Sequence, residues 1–199
     1  MARRLQTRRA ACRVATLLAA ATLCGCGATP PAVNDTLDPL TGVTITSSST
    51  PLVMYRDEPS RAAYARNFLH VGPLQINRMG DHQYFLWVGI WSTMRTPDVT
   101  ASQSGFDSII LFVDGEPLPL DASGWTPAAI GTSEHVYVKP VASTLDVYYR
   151  VTTDQIRFIA EGSDIRLQTT GSSPRNFELW DEQTSAKEAL RAFFREVLF

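Results

Sequence analysis

The segment FLHVGPLQINRMGDHQYFLWVGIWST, residues 68–93, carries the strongest strand pattern in this chain of 199 residues. Apolar residues dominate its two arms, 68–77 and 83–93. The connecting RMGD contains Gly80, which tolerates the positive φ that a tight turn needs. In the second arm both faces are apolar, as is typical of a strand that lies between two layers. The segment therefore predicts a central antiparallel hairpin.

Further strand patterns flank this hairpin. Residues 109–113 and 116–120 surround Asp114-Gly115, a dipeptide favoured in two-residue hairpin turns. Residues 135–141 and 145–151 predict another antiparallel pair, and the alternation in 145–151 predicts one wet face. The polar stretch 94–106 is a long connection, which is either a functional surface or a disordered excursion.

Two helices are predicted after these strands. Thr152 and Gln155 match a capping box at the start of a short helix, and Ser185 and Glu188 match a second one. The final helix places an apolar stripe at helical spacing up to Val197. We therefore predict a single α+β domain with a mainly antiparallel, sandwich-like sheet, a short helix and a packed C-terminal helix. The alternative is an all-β immunoglobulin-like sandwich.

The N-terminus predicts a targeting segment. Residues 1–13 contain five arginines and no acidic residue, and residues 14–23 are almost wholly apolar but too short to span a bilayer. The sequence Leu23-Cys24-Gly25-Cys26 follows, and it resembles the lipobox of bacterial lipoprotein precursors. The resemblance implies a signal peptide over 1–25, cleavage between Gly25 and Cys26, and lipidation of Cys26. An ordinary signal peptide cut near Ala28, or an uncleaved anchor, is the alternative.

The resemblance also implies a location. Two or more acyl chains on Cys26 would hold the protein stably on a membrane. Gly27 stands where inner-membrane lipoproteins of enteric bacteria have Asp, which favours the outer membrane facing the periplasm. Residues 26–39 lack an apolar period and predict a lipidated flexible tether, followed by one globular domain over 40–199.

Composition restricts the chemistry of the mature domain. Removal of residues 1–25 takes five of the 18 basic residues and none of the 20 acidic ones, which changes the formal charge from −2 to −7. This acidic balance argues against nucleic acid as a partner. The three cysteines are Cys12, Cys24 and Cys26, so the mature domain has neither a disulfide nor a free thiol.

No established catalytic motif is present. His70, His82 and His135 are the three histidines, and their spacing does not indicate a metal site. Ser133 precedes His135 by two positions, which we interpret as chance and not as a catalytic dyad. The acidic pairs 57–58 and 181–182 resemble solvated turns or helix starts more than the facing carboxylates of a glycosidase.

Four tryptophans are candidate contact residues. Trp87 and Trp91 share a strand face and are interpreted as core residues, with a sugar- or peptide-binding platform as the alternative. Trp125 is predicted to lie in a loop, where an exposed indole would contact a partner. Trp180 is assigned no role.

Two functions from different classes fit these observations. The first is a lipid-anchored, non-enzymatic envelope protein that binds another envelope protein or has an accessory or structural role, without cofactor or metal. The second is a periplasmic hydrolase that acts on peptidoglycan or glycan through paired carboxylates.

Overall fold

The computed structural model describes residues 32–94 and 103–198. Strands make up 47% of these described residues. The described residues form ten strands, a 3-10 helix and two α-helices. The strands are β1 (Val33–Asp38), β2 (Val43–Ser48), β3 (Leu52–Asp57), β4 (Arg66–Arg78), β5 (Asp81–Ser92), β6 (Ser108–Val113), β7 (Glu116–Gly124), β8 (Leu145–Val151), β9 (Ile165–Thr169) and β10 (Asn176–Leu179). The helices are η1 (Pro127–Ile130), α1 (Thr153–Glu161) and α2 (Thr184–Leu198).

The predicted central hairpin is confirmed as β4 and β5. The two strands pair in antiparallel register from Asn67 opposite Ser92 to Arg78 opposite Asp81. The turn between them places Gly80 at φ 94°, in the left-handed region that glycine adopts without strain. The side-chain oxygen of Asn77 accepts a hydrogen bond from the Gly80 N–H at 2.8 Å, which fixes the turn.

The predicted sandwich is wrong, because eight antiparallel strands close into a barrel. Around the barrel the order is β4, β3, β10, β9, β6, β7, β8 and β5, and the pairing of β5 with β4 completes the ring. The immunoglobulin-like alternative fails for the same reason. Alternation of apolar residues indicates which face of a strand is buried, and it is the same in a sandwich and in a barrel. It does not indicate that β10 pairs with both β3 and β9, which is the contact that closes this barrel.

The remaining hairpin, β1 with β2, extends from the long strand β4. β3 pairs with the first half of β4, whereas β2 pairs with its second half at 74–77. β1 lies within the stretch 26–39 that was predicted to be a tether, so the ordered domain begins earlier than expected. The prediction missed this strand because four of its six residues are exposed and polar positions interrupt any apolar period; pairing with β2 holds it in place.

A large apolar core fills the barrel. Both helices lie at the end of the barrel where α1 connects β8 to β9. They add apolar side chains to the core, among them Ile156, Leu190 and Phe193. The predicted capping box at Thr152 and Gln155 is confirmed by reciprocal hydrogen bonds. α2 begins at Thr184, so Ser185 lies within the helix and is not its cap. Among the described helices, none is long and apolar enough to cross a membrane.

A second, smaller core lies outside the barrel, against β2, β4, β5 and β8. It contains Trp87, Tyr137 and Tyr148, and it is covered by η1 and by residues 132–144, which we name the strap. The strap has no regular strand, so the predicted strand at 135–141 is absent. It also buries Asp146 and Tyr148 on the face of β8 that was predicted to be wet, whereas Arg150 on the same face is exposed. β5 thus has a core on each face, as its two apolar faces predicted.

Candidate functional site

Long connections meet at the end of the barrel opposite the helices, and between them lies an open polar cleft of about 390 Å³. We name it the arginine cleft. β3 and β4 supply its wall, while the β3–β4 and β9–β10 connections supply its rim. The lining residues are Arg56, Glu58, Arg61, Asn67, Ser104, Thr170, Ser172, Ser173, Pro174 and Arg175.

The wall of the arginine cleft is built by strand pairing. Arg56 and Asn67 are direct cross-strand partners on β3 and β4. Arg56 falls at the alternate position after Leu52 and Met54, whose side chains lie in the barrel core, so it continues the inward face to the mouth of the barrel. Both residues hold Glu58: Nη1 of Arg56 lies 3.3 Å from its Oε2, and the Asn67 amide donates to the same oxygen at 3.2 Å.

Arg175 closes the opposite side of the cleft. Its guanidinium lies over the ring of Phe106, 4.9 Å from the centroid, and donates to the carbonyl of Ser104. Burial lowers the pKa of Arg175, and the positive charges of Arg56 and Arg61 lower it further, against the opposing effect of Glu58. Arg56 and Arg61 therefore act unfavourably on the charge of Arg175, and a negative charge placed among the three guanidinium groups would be favoured.

The charges and hydrogen-bond donors of the cleft suit an anion. Three arginines against one glutamate give it a formal charge of +2, although the whole chain carries −2. Guanidinium groups bind carboxylates and phosphates through paired N–H donors. Three hydroxyl side chains, from Ser104, Ser172 and Ser173, supply further donors around the rim, whereas the Thr170 hydroxyl donates to the carbonyl of Ser108 at 2.8 Å. Mouths of barrels are also common positions for ligand sites.

A second polar cluster surrounds Asp146 beneath the strap, and it is structural. The Asp146 side chain is 3% exposed and accepts hydrogen bonds from Trp87 Nε1 at 3.0 Å, Lys139 Nζ at 2.9 Å and His135 Nδ1 at 2.7 Å. Three donors satisfy a carboxylate that burial would otherwise destabilise. Because two of them belong to the strap, the cluster fastens the strap to the barrel.

Asp38 fastens the other end of the strap. Its carboxylate accepts from the hydroxyl of Ser133 and from the Ser133 N–H, both at 2.6 Å. These hydrogen bonds, the one from the hydroxyl first, hold the pKa of Asp38 well below its usual range. Ser133 and His135 therefore interact with two different carboxylates, those of Asp38 and Asp146. This agrees with the interpretation that their closeness in the sequence is chance and not a catalytic dyad.

The histidines lie apart and have different partners. His70 is half-buried beside Trp91, and burial lowers its pKa. His82 contacts the side chain of Gln75, and His135 pairs with Asp146. In the described ranges, no group of three or more His, Cys, Asp or Glu side chains is arranged to hold a metal ion.

The tryptophans have distinct environments. Trp87 is a core residue, as predicted, and stacks on Tyr137 with centroids 4.6 Å apart. Trp91 is half-buried on the outer face of the barrel and stacks on Phe68 at 4.5 Å. Trp125 follows β7 and is half-buried against the barrel core, so part of its ring remains accessible. Its predicted contact with a partner stays a prediction.

The acidic pairs considered for glycoside chemistry are used in other ways. Asp57 forms an ion pair with Arg66 at 2.8 Å, and Glu58 forms one with Arg56. Residues 181 and 182 are exposed in the connection between β10 and α2, at the other end of the barrel. Neither pair has its two carboxylates facing each other as separate walls of a cleft.

The predicted lipidation site, with Gly25 and Cys26, lies outside the described residues. The arginine cleft itself was missed by sequence reasoning, since Arg56 and Arg175 are far apart in the chain and meet only when β10 pairs with β3. One local signal was present: Arg56 occupies a position on the inward face of an otherwise apolar strand.

These features define a small antiparallel β-barrel domain with a cationic cleft at one end. Comparison with protein-family models, with curated proteins and with solved structures finds no match for this chain.

Proposed function

We propose that this protein is a lipid-anchored, non-enzymatic binding protein of the bacterial cell envelope, and that it takes a small anionic ligand in the arginine cleft. The observation that carries the proposal is the convergence of Arg56, Arg61 and Arg175 on one cavity. The positive charges of Arg56 and Arg61 lower the pKa of Arg175, and an anion bound among the three groups would oppose that effect.

Arg61 is the most informative residue for a test. It lies at the exposed rim, and no ion pair of its guanidinium is formed within the described parts of the chain. Its charge can therefore be removed without disturbing the barrel. Arg150 is a matched control, because it is equally exposed but projects from β8 outside the cleft.

The experiment is a calorimetric titration of the purified full chain with inorganic phosphate and with acetate at low ionic strength. We expect binding that weakens by about tenfold, or about 1.4 kcal/mol, in Arg61→Gln, since one charged donor is lost. Arg150→Gln should bind like the original chain. No binding of either anion would exclude simple anions as the ligand, and equal loss in both variants would exclude the arginine cleft as the site.

The anchor part of the proposal is supported by the lipobox resemblance at residues 23–26. β1 begins at Val33, so six residues separate Cys26 from the barrel domain. The proposed outer-membrane location follows from Gly27, as above. A second envelope protein as partner also remains a proposal, with the accessible part of Trp125 as its contact.

A further inference from the structure

Glu58 is the unexpected residue of the arginine cleft, because a carboxylate opposes the binding of an anion. Its side chain is 18% exposed and lies among the guanidinium groups that would attract the ligand. A cleft that bound phosphate or a simple carboxylate would bind it more tightly without this charge. The presence of Glu58 therefore bears on which group, besides the anionic one, the ligand carries.

The two oxygens of Glu58 are not equally occupied. Oε2 has two partners on the cleft wall, Arg56 and Asn67. Among the described residues, Oε1 accepts one hydrogen bond, from the exposed hydroxyl of Ser60 at 3.0 Å. A carboxylate accepts about four hydrogen bonds, so Oε1 has room for another donor. Its two wall partners hold the carboxylate in place, which is the preorganisation that a ligand-binding group needs.

We propose that the ligand of the arginine cleft is a zwitterion, whose acidic group lies between Arg61 and Arg175 and whose ammonium group donates to Glu58. This inference rests on the proposed function and names the class of its ligand. Opposite charges of the cleft then match opposite charges of the ligand, and Glu58 contributes to affinity and selectivity. A cavity of about 390 Å³ has the size for an amino acid or a short peptide.

The test compares three probes on the full chain by calorimetry: alanylalanine, N-acetylalanylalanine and inorganic phosphate. Acetylation removes the ammonium charge and keeps the acid group. We expect alanylalanine to bind at least tenfold more tightly than its acetylated form. Glu58→Gln should abolish this preference while the acetylated probe binds as well as before or better. Glu116→Gln, a change of an exposed acid at the β6–β7 turn, is the control and should keep the preference.

The outcomes separate the two proposals. If the acetylated probe or phosphate binds as tightly as alanylalanine, the anion site stands and the zwitterion is excluded. If none of the three probes binds, both proposals fall. The comparison of alanylalanine with its acetylated form needs no variant, so it decides the question even if Glu58→Gln does not fold.

Discussion

Substitution of Gly72 by alanine tests how tightly the strap is fitted to the barrel. A Cβ at this position would lie 2.4 Å from Cζ and 2.5 Å from Oη of Tyr137 in the strap. Ordinary contacts begin at 3.4 Å, so the ring must retreat by about 1 Å. Three contacts resist this movement: the ring stacks on Trp87, and its hydroxyl donates to the carbonyl of Pro73 at 2.6 Å and lies 3.0 Å from Oγ of Ser48.

The expected cost follows from these contacts. Overpacking of this kind costs about 1–3 kcal/mol. Alanine in a strand recovers about 0.5–1 kcal/mol relative to glycine, because it loses less conformational entropy on folding. Gly72→Ala should therefore lower the free energy of unfolding by about 1–2 kcal/mol, measured by urea denaturation of the full chain followed by tryptophan fluorescence and circular dichroism.

A double-mutant cycle with Tyr137→Ala identifies the cause. Tyr137→Ala alone should cost about 3–5 kcal/mol, as for other buried aromatic residues. In that background the clash is gone, and Gly72→Ala should be neutral or slightly stabilising, by up to about 1 kcal/mol. If Gly72→Ala is equally destabilising in both backgrounds, the ring of Tyr137 is not what the new methyl group meets, and the described fit of the strap is refuted.

Three further predictions concern the strap and the anchor. Asp38→Asn should destabilise the fold by a constant amount above about pH 5, where the unfolded carboxyl is ionised. The difference should shrink as pH falls towards the depressed pKa of the folded state. Urea midpoints from pH 2.5 to 8 measure it, and a difference that grows in acid contradicts the argument. Lys139→Met removes one partner of buried Asp146 and should lower the free energy of unfolding by about 1–3 kcal/mol, measured by thermal unfolding. This is below the usual cost of breaking a buried pair, because two donors to Asp146 remain. An unchanged melting temperature would count against the fastening role. Cys26→Ala should abolish labelling with radioactive palmitate and release the protein from the membrane fraction, and persistent labelling would disprove the lipobox interpretation.

The parts of the fold that sequence predicts well are those set by neighbouring residues. The hairpin of β4 and β5 follows from two apolar arms around a glycine turn, and the capping box before α1 follows from two residues three apart. The stripe of α2 is likewise local, and Ala186, Ala189, Leu190 and Phe193 are buried as predicted. In each case the interacting residues are close in the chain, so the local sequence pattern predicts the interaction directly.

The parts that sequence misses depend on distant contacts. β10 meets β3 more than 120 residues back along the chain, and no periodicity specifies that pairing. The burial of Tyr148 depends on the strap, which is an irregular segment. The alternation of residues in β8 does not indicate that the strap covers this face of the strand. The arginine cleft has the same origin, since its charges come from connections that only barrel closure brings together.

The late position of β10 has a consequence for how the chain must be made. Until residues 176–179 are available, β3 and β9 each have an edge without its partner, and such edges pair readily with other chains. Closure therefore waits until residues 176–179 have been made, and the folding of so non-local a topology is slow. Until β10 pairs with β3 and β9, a partly folded chain would be open to aggregation through these two edges.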